Sequence, residues 1–109
     1  MRDPNFDQCV QACYECAVAC DICASACLEG NPAAMKRCIA LCTDCGAVCR
    51  LCAAMLARDG EFANALCTLC ALMCDACARE CAPHEASHCQ VCAGACLSCT
   101  LACRDMLEA

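Results

Sequence analysis

Residues 9–27 read CVQACYECAVACDICASAC, a run in which cysteine recurs at alternating steps of four and three: Cys9, Cys13, Cys16, Cys20, Cys23 and Cys27. On a strand those steps would scatter the thiols over both faces. On an α-helix they fall along one stripe, the a and d positions of a heptad. The alternation returns three times, in Cys38, Cys42, Cys45, Cys49 and Cys52, in Cys67, Cys70, Cys74, Cys77 and Cys81, and in Cys89, Cys92, Cys96, Cys99 and Cys103. All 21 cysteines of the 109-residue chain belong to these four runs. One helical unit is used four times.

Working outward, the segments between runs carry helix stop and start chemistry. Asp3-Pro4 suits a cap followed by a first helical turn, and Gly30-Asn31-Pro32 reads as a glycine C-cap, an Asn N-cap and a Pro opening the second helix. Arg58-Asp59-Gly60 ends the second helix with glycine where a left-handed turn is favoured, and Ala82-Pro83 ends the third. Helices are expected over about 4–28, 32–58, 61–82 and 84–107, in a single domain. Short links set sequential neighbours antiparallel, so the expected fold is all-α, an antiparallel up-down-up-down four-helix bundle with a cysteine-lined core. Ala12, Ala17, Ala19, Ala24 and Ala26 flank the first stripe and permit close helix packing. Val18, Ile22, Leu69, Leu72, Leu97 and Leu101 face outward on the same register, which points to self-association.

Composition narrows the function. Leu, Ile, Val and Phe number only 18 and Trp is absent, so either the chain does not fold or cysteine is its core. With 13 acids against 7 bases the net charge is −6, and no basic patch offers itself to nucleic acid. The start, Met1-Arg2-Asp3-Pro4-Asn5-Phe6-Asp7, has no apolar signal region, so a cytoplasmic protein is expected. Residues 86–103 lack acids, Lys and Arg, but His88, Gln90 and Thr100 interrupt them and no membrane span is expected. No set of residues suggests an enzyme.

A single buried cysteine is usually a small hydrophobe. Leucine on these seams would stabilise the bundle more, by about 0.8 kcal/mol per buried methylene, so a full seam of thiols points to sulfur chemistry. Disulfides fit poorly: the count is odd and the spacing strictly helical. Zinc asks for closed sets of four ligands, and nothing in the spacing divides the stripes into quartets. Iron–sulfur ligation favours loop-borne runs ending in Cys-Pro, which the chain lacks. Cu(I) accepts two or three thiolates, and sulfurs three or four residues apart on one helix face are spaced to share an ion. One Cu(I) per thiolate also leaves the core near neutral, for a capacity on the order of 20 ions per chain. A Zn(II) or mixed-metal thiolate store is the alternative, with a redox, iron–sulfur or disulfide-stapled protein further behind.

With these four runs, Cys9 to Cys103, the chain resembles the bacterial copper storage proteins, specifically their cytosolic type. The resemblance implies a homotetramer that folds before metal arrives and holds many Cu(I) ions on pairs or triads of cysteines. It also implies an entry at one end of the bundle, where His or Met residues meet incoming copper. In the expected topology that end holds Cys27, Met35, Cys81, His84 and His88, making His84 and His88 candidate entry ligands. Met35, Met55, Met73 and Met106 are weaker thioether candidates. Phe6, Met55, Phe62 and Met106 are expected to plug the other end. Copper donor and acceptor are not legible in the chain.

Overall fold

The structure, a computed structural model, describes residues 4–108. Four helices account for most of them: α1 (Pro4–Glu29), α2 (Lys36–Ala57), α3 (Ala63–Cys81) and α4 (Ser87–Glu108). Each packs on two neighbours in the ring order α1, α2, α3, α4, and the diagonal pairs keep their backbones apart and meet through thiols across the axis. The result is the antiparallel four-helix bundle, drawn out to 47 × 18 × 17 Å. Among the described residues no strand occurs.

The core is sulfur. All 21 cysteines are buried, none is exposed by more than 2%, and their company is mostly alanine: Ala17, Ala24, Ala53, Ala63 and Ala71. Small flanking residues let the helices close on the thiols, and Gly46 takes this furthest, since a Cβ there would stand 3.1 Å from Asp21 Oδ1 and 3.6 Å from the Ala17 carbonyl. Asp21 is held across the same α1–α2 face by Arg50 Nη1 at 2.7 Å. By length and composition α1 and α2 could each cross a membrane. Their apolar character comes largely from cysteine and alanine, and the cysteines turn into the bundle.

The turns depart from the sequence expectation in detail. Gly30 is not left-handed; residues 32–35 form a turn in which Asn31 Oδ1 accepts from the Ala34 amide at 3.4 Å, and α2 starts only at Lys36. After α2 the positive φ falls on Asp59 (53°), not on Gly60. The Asp59 amide donates to the Leu56 carbonyl at 3.0 Å and the Gly60 amide to Met55 at 2.8 Å, the paired bonds of a Schellman motif with aspartate in the left-handed position. Gly60 gives room instead: a Cβ there would sit a tight 3.3 Å from the Met55 carbonyl oxygen. α4 starts at Ser87, so His84 lies in the preceding turn and shares no helix with His88. Gln90 Nε2 ties that turn down, donating to the carbonyls of Ala82 at 2.8 Å and His84 at 2.5 Å. The expected Asp3 cap lies outside the described residues.

The two ends of the sulfur column differ. One seam step beyond the last cysteines at one end stand Phe6, Leu56, Ala63 and Met106. Leu56 is fully buried, Ala63 and Met106 nearly so, and Phe6 packs against the core, closing that end with carbon. Met55 also packs there, but Phe62 does not belong to the plug: it is 61% exposed. Its place on the seam is taken by Ala63, because the register that aligns Cys67 inward turns residue 62 outward. At the other end the same step reaches Gly30, Met35 and His84, which form no apolar wall.

Candidate metal centre

Heptad spacing delivers every thiol to the bundle axis, where sulfurs meet both along and between helices. Within a helix, Cys16 and Cys20 are 4.0 Å apart and Cys70 and Cys74 3.8 Å. Between helices the contacts are as close or closer: Cys45 and Cys49 each stand 3.5 Å from Cys74, Cys16 lies 3.6 Å from Cys96, and Cys38 lies 3.6 Å from Cys81. The contacts chain together. From Cys38 one passes to Cys42, Cys92, Cys20, Cys16, Cys74, Cys70, Cys99 and Cys13 without a step longer than 4.0 Å. Two further pairs, Cys52 with Cys67 and Cys9 with Cys103, are 3.8 and 3.7 Å apart and complete the column towards its closed end.

At the end opposite the apolar plug Cys23, Cys27, Cys38 and Cys89 form a quartet whose sulfurs all lie within 4.8 Å of one another. His88 joins it: Nδ1 stands 3.5 Å from the sulfurs of Cys23 and Cys89 and 4.0 Å from that of Cys27. His84 does not reach the thiols. Its Nε2 lies 3.2 Å from Glu80 Oε2, and Glu80 also receives Arg37 Nε at 3.1 Å, so the turn is braced against both α3 and α2. Met35 packs against the core at this end, whereas Met55 and Met106 belong to the closed end and Met73 is half-buried midway along α3.

The thiols hold their protons unevenly. Desolvation pushes Cys27 up to about 12 and raises Cys23 and Cys89 as well. Deeper in, thiol-to-thiol hydrogen bonds drive neighbours apart: bonds to Cys13 and Cys16 push Cys103 and Cys74 up, while bonds from Cys20 and Cys103 draw Cys77 and Cys52 down to about 5. Sulfurs that already share protons at contact distance are placed to share soft cations instead, each proton leaving as a metal ion bridges the pair. No buried oxygen or nitrogen competes for such an ion, since Thr100, the one buried polar side chain other than cysteine among the described residues, donates to the Cys96 carbonyl at 2.9 Å.

The site agrees with what comparison with known proteins finds. Residues 2–108 match the family model described as copper storage protein. A Cu(I)-bound copper storage protein, BsCsp3, is 38% identical with a TM-score of 0.91, the match covering 94% of this chain and 98% of that one. The copper-free copper storage protein 3 of Bacillus subtilis is 39% identical with a TM-score of 0.87, covering 93% of this chain and 97% of that one. The copper storage protein of Streptomyces lividans, loaded with 10 copper equivalents, is 40% identical with a TM-score of 0.91, over 95% of this chain and 84% of that one. No curated protein sequence matches. Sulfur column, fold and likeness together make this chain a member of the copper storage protein family.

Proposed function

We propose that the chain is a cytosolic store that holds many Cu(I) ions on the thiolates of its bundle axis and runs no catalytic cycle. The observation that carries this is the column of 21 buried, disulfide-free cysteines whose sulfurs touch at 3.5–4.0 Å from one helix to the next. An S. lividans relative is described as cytosolic and as loading five coppers, which supports both the compartment and the multiplicity. All the cysteines from Cys9 to Cys103 serve as ligands, with bridging sulfurs giving a capacity on the order of 20 Cu(I) per chain. Copper enters at the quartet end, with His88 the inner imidazole and His84 an outer stop that swings from Glu80. The outward apolar faces support a homo-oligomer, a tetramer by family likeness. One of them carries a groove of about 460 Å³ lined by Tyr14, Val18, Ile22, Val91 and Ala95.

Anaerobic titration of the reduced protein with Cu(I) against a competing chelator tests the reading. The expected outcome is binding that continues to about 20 equivalents at one strong affinity class. Saturation at one or two equivalents overturns it. In the same assay His88→Ala slows loading and chelator extraction several-fold and His84→Ala less so, with capacity nearly intact in both.

A further inference from the structure

The spacing along each helix offers no closed set of four sulfurs, which is the argument against zinc. Folding supplies one. Four interior quartets also have their sulfurs within 4.8 Å, but they interlock, since Cys16, Cys20, Cys96 and Cys99 each serve two of them. Cys23, Cys27, Cys38 and Cys89 serve none of those four. Interlocked quartets favour shared, bridging sulfurs and hence multinuclear Cu(I). The quartet adjoins the column through Cys38, whose sulfur is 3.6 Å from that of Cys81 and 4.0 Å from that of Cys42, but four thiols around one centre are the arrangement of a mononuclear site.

Its dimensions fit a tetrahedral divalent ion. Zn–S bonds of about 2.3 Å set the sulfurs of a tetrahedron about 3.8 Å apart. Cys23 already stands 3.8 Å from Cys89 and 3.9 Å from Cys38. Three helices contribute, with Cys23 and Cys27 one turn apart on α1 and one thiol each from α2 and α4. Zn(II) with four thiolates carries −2, which is costly on the apolar axis. At this end Cys38 and Cys89 are each the third residue of their helix, so the N-termini of α2 and α4 lie beside two of the ligands and offset the C-terminus of α1, which carries Cys27. His88 Nδ1, at 3.5 Å from two of the sulfurs, stands where an imidazole N–H donates to a metal-bound thiolate.

We propose that this quartet is a mononuclear tetrathiolate site for Zn(II), which occupies the His88 end of the copper-free protein and leaves when Cu(I) arrives. Thiolates prefer Cu(I), so the ion acts as a removable stopper rather than as stored cargo. Copper storage does not depend on it.

Co(II), a coloured stand-in for Zn(II), is added to the reduced, metal-free protein under anaerobic conditions. One equivalent per chain is expected to raise the intense d–d bands of tetrahedral tetrathiolate cobalt, and one equivalent of Zn(II) to bleach them. Cys38→Ser and Cys89→Ser abolish this signal, Cys103→Ser retains it, and His88→Ala weakens zinc binding by about 10- to 100-fold; circular dichroism checks that each variant is folded. Absence of the tetrahedral bands overturns the site, as does a signal that Cys103→Ser removes and Cys38→Ser spares. Cu(I) then added to the zinc-loaded wild-type chain is expected to release the zinc and fill the column. If copper fills the chain and no zinc ever binds, this inference falls alone; if zinc binds and copper does not, the storage reading falls instead.

Discussion

Cys27 shows what a sulfur core asks of a single residue. Its thiol titrates at about 12 in the folded chain against about 9 in the unfolded one, because burial disfavours the thiolate. A raised folded value means that the unfolded state loses its proton first as pH rises, so the stabilisation is complete below pH 9 and drains away towards pH 12. The metal-free protein is therefore expected to lose stability in alkali, by about 1.4 kcal/mol per pH unit for each such thiol, when chemical melts are compared across that range. Copper-loaded protein escapes this loss, since its thiols have already given up their protons. The thiol positions are legible in the sequence because a 3-4 alternation has one meaning on a helix. Leu56 and Met106 continue the same alternation one step past Cys52 and Cys103, so the closing residues are equally legible once register outweighs size. Phe62 misleads because it is large and lies near the end, yet its register faces solvent.

The helices follow from the sequence more securely than their ends do. Pro32 and His84 were candidates to open α2 and α4, but a full turn precedes α2 and an amide-pinned loop precedes α4. Pro favours a first turn without deciding whether the helix runs on from it, and nothing local announces that Gln90 reaches back to two carbonyls. The grouping of the thiols into quartets is likewise invisible along the chain, because it depends on the axial offset between helices. Asp59 is the element-scale test. As an L-residue at φ 53° in a Schellman turn it carries strain that glycine would not. Asp59→Gly is expected to stabilise the metal-free bundle by about 0.5–1 kcal/mol in thermal melts, with copper capacity unchanged. A loss of stability would mean that the aspartate side chain contributes more than its backbone costs.

At the scale of the whole molecule, sulfur faces in and aliphatic side chains face out. Val18 and Ile22 on α1 and Val91 on α4 are each more than half exposed around one groove, a surface that a second copy would cover. Ile22→Asp is expected to lower the assembly state in analytical ultracentrifugation while leaving copper capacity per chain unchanged, since the residue points away from the column. A column that ends in the quartet and His88 on one side and is closed by Phe6, Leu56, Ala63 and Met106 on the other also has a direction. Entry and exit through the quartet end alone, as proposed, would make the store behave as a stack, last in and first out. Protein filled first with one copper isotope and then with a second is expected to surrender the second isotope first to an external chelator. For a cell drawing on such a reserve, the copper most recently taken up is the copper spent soonest, and the oldest ions are the deepest.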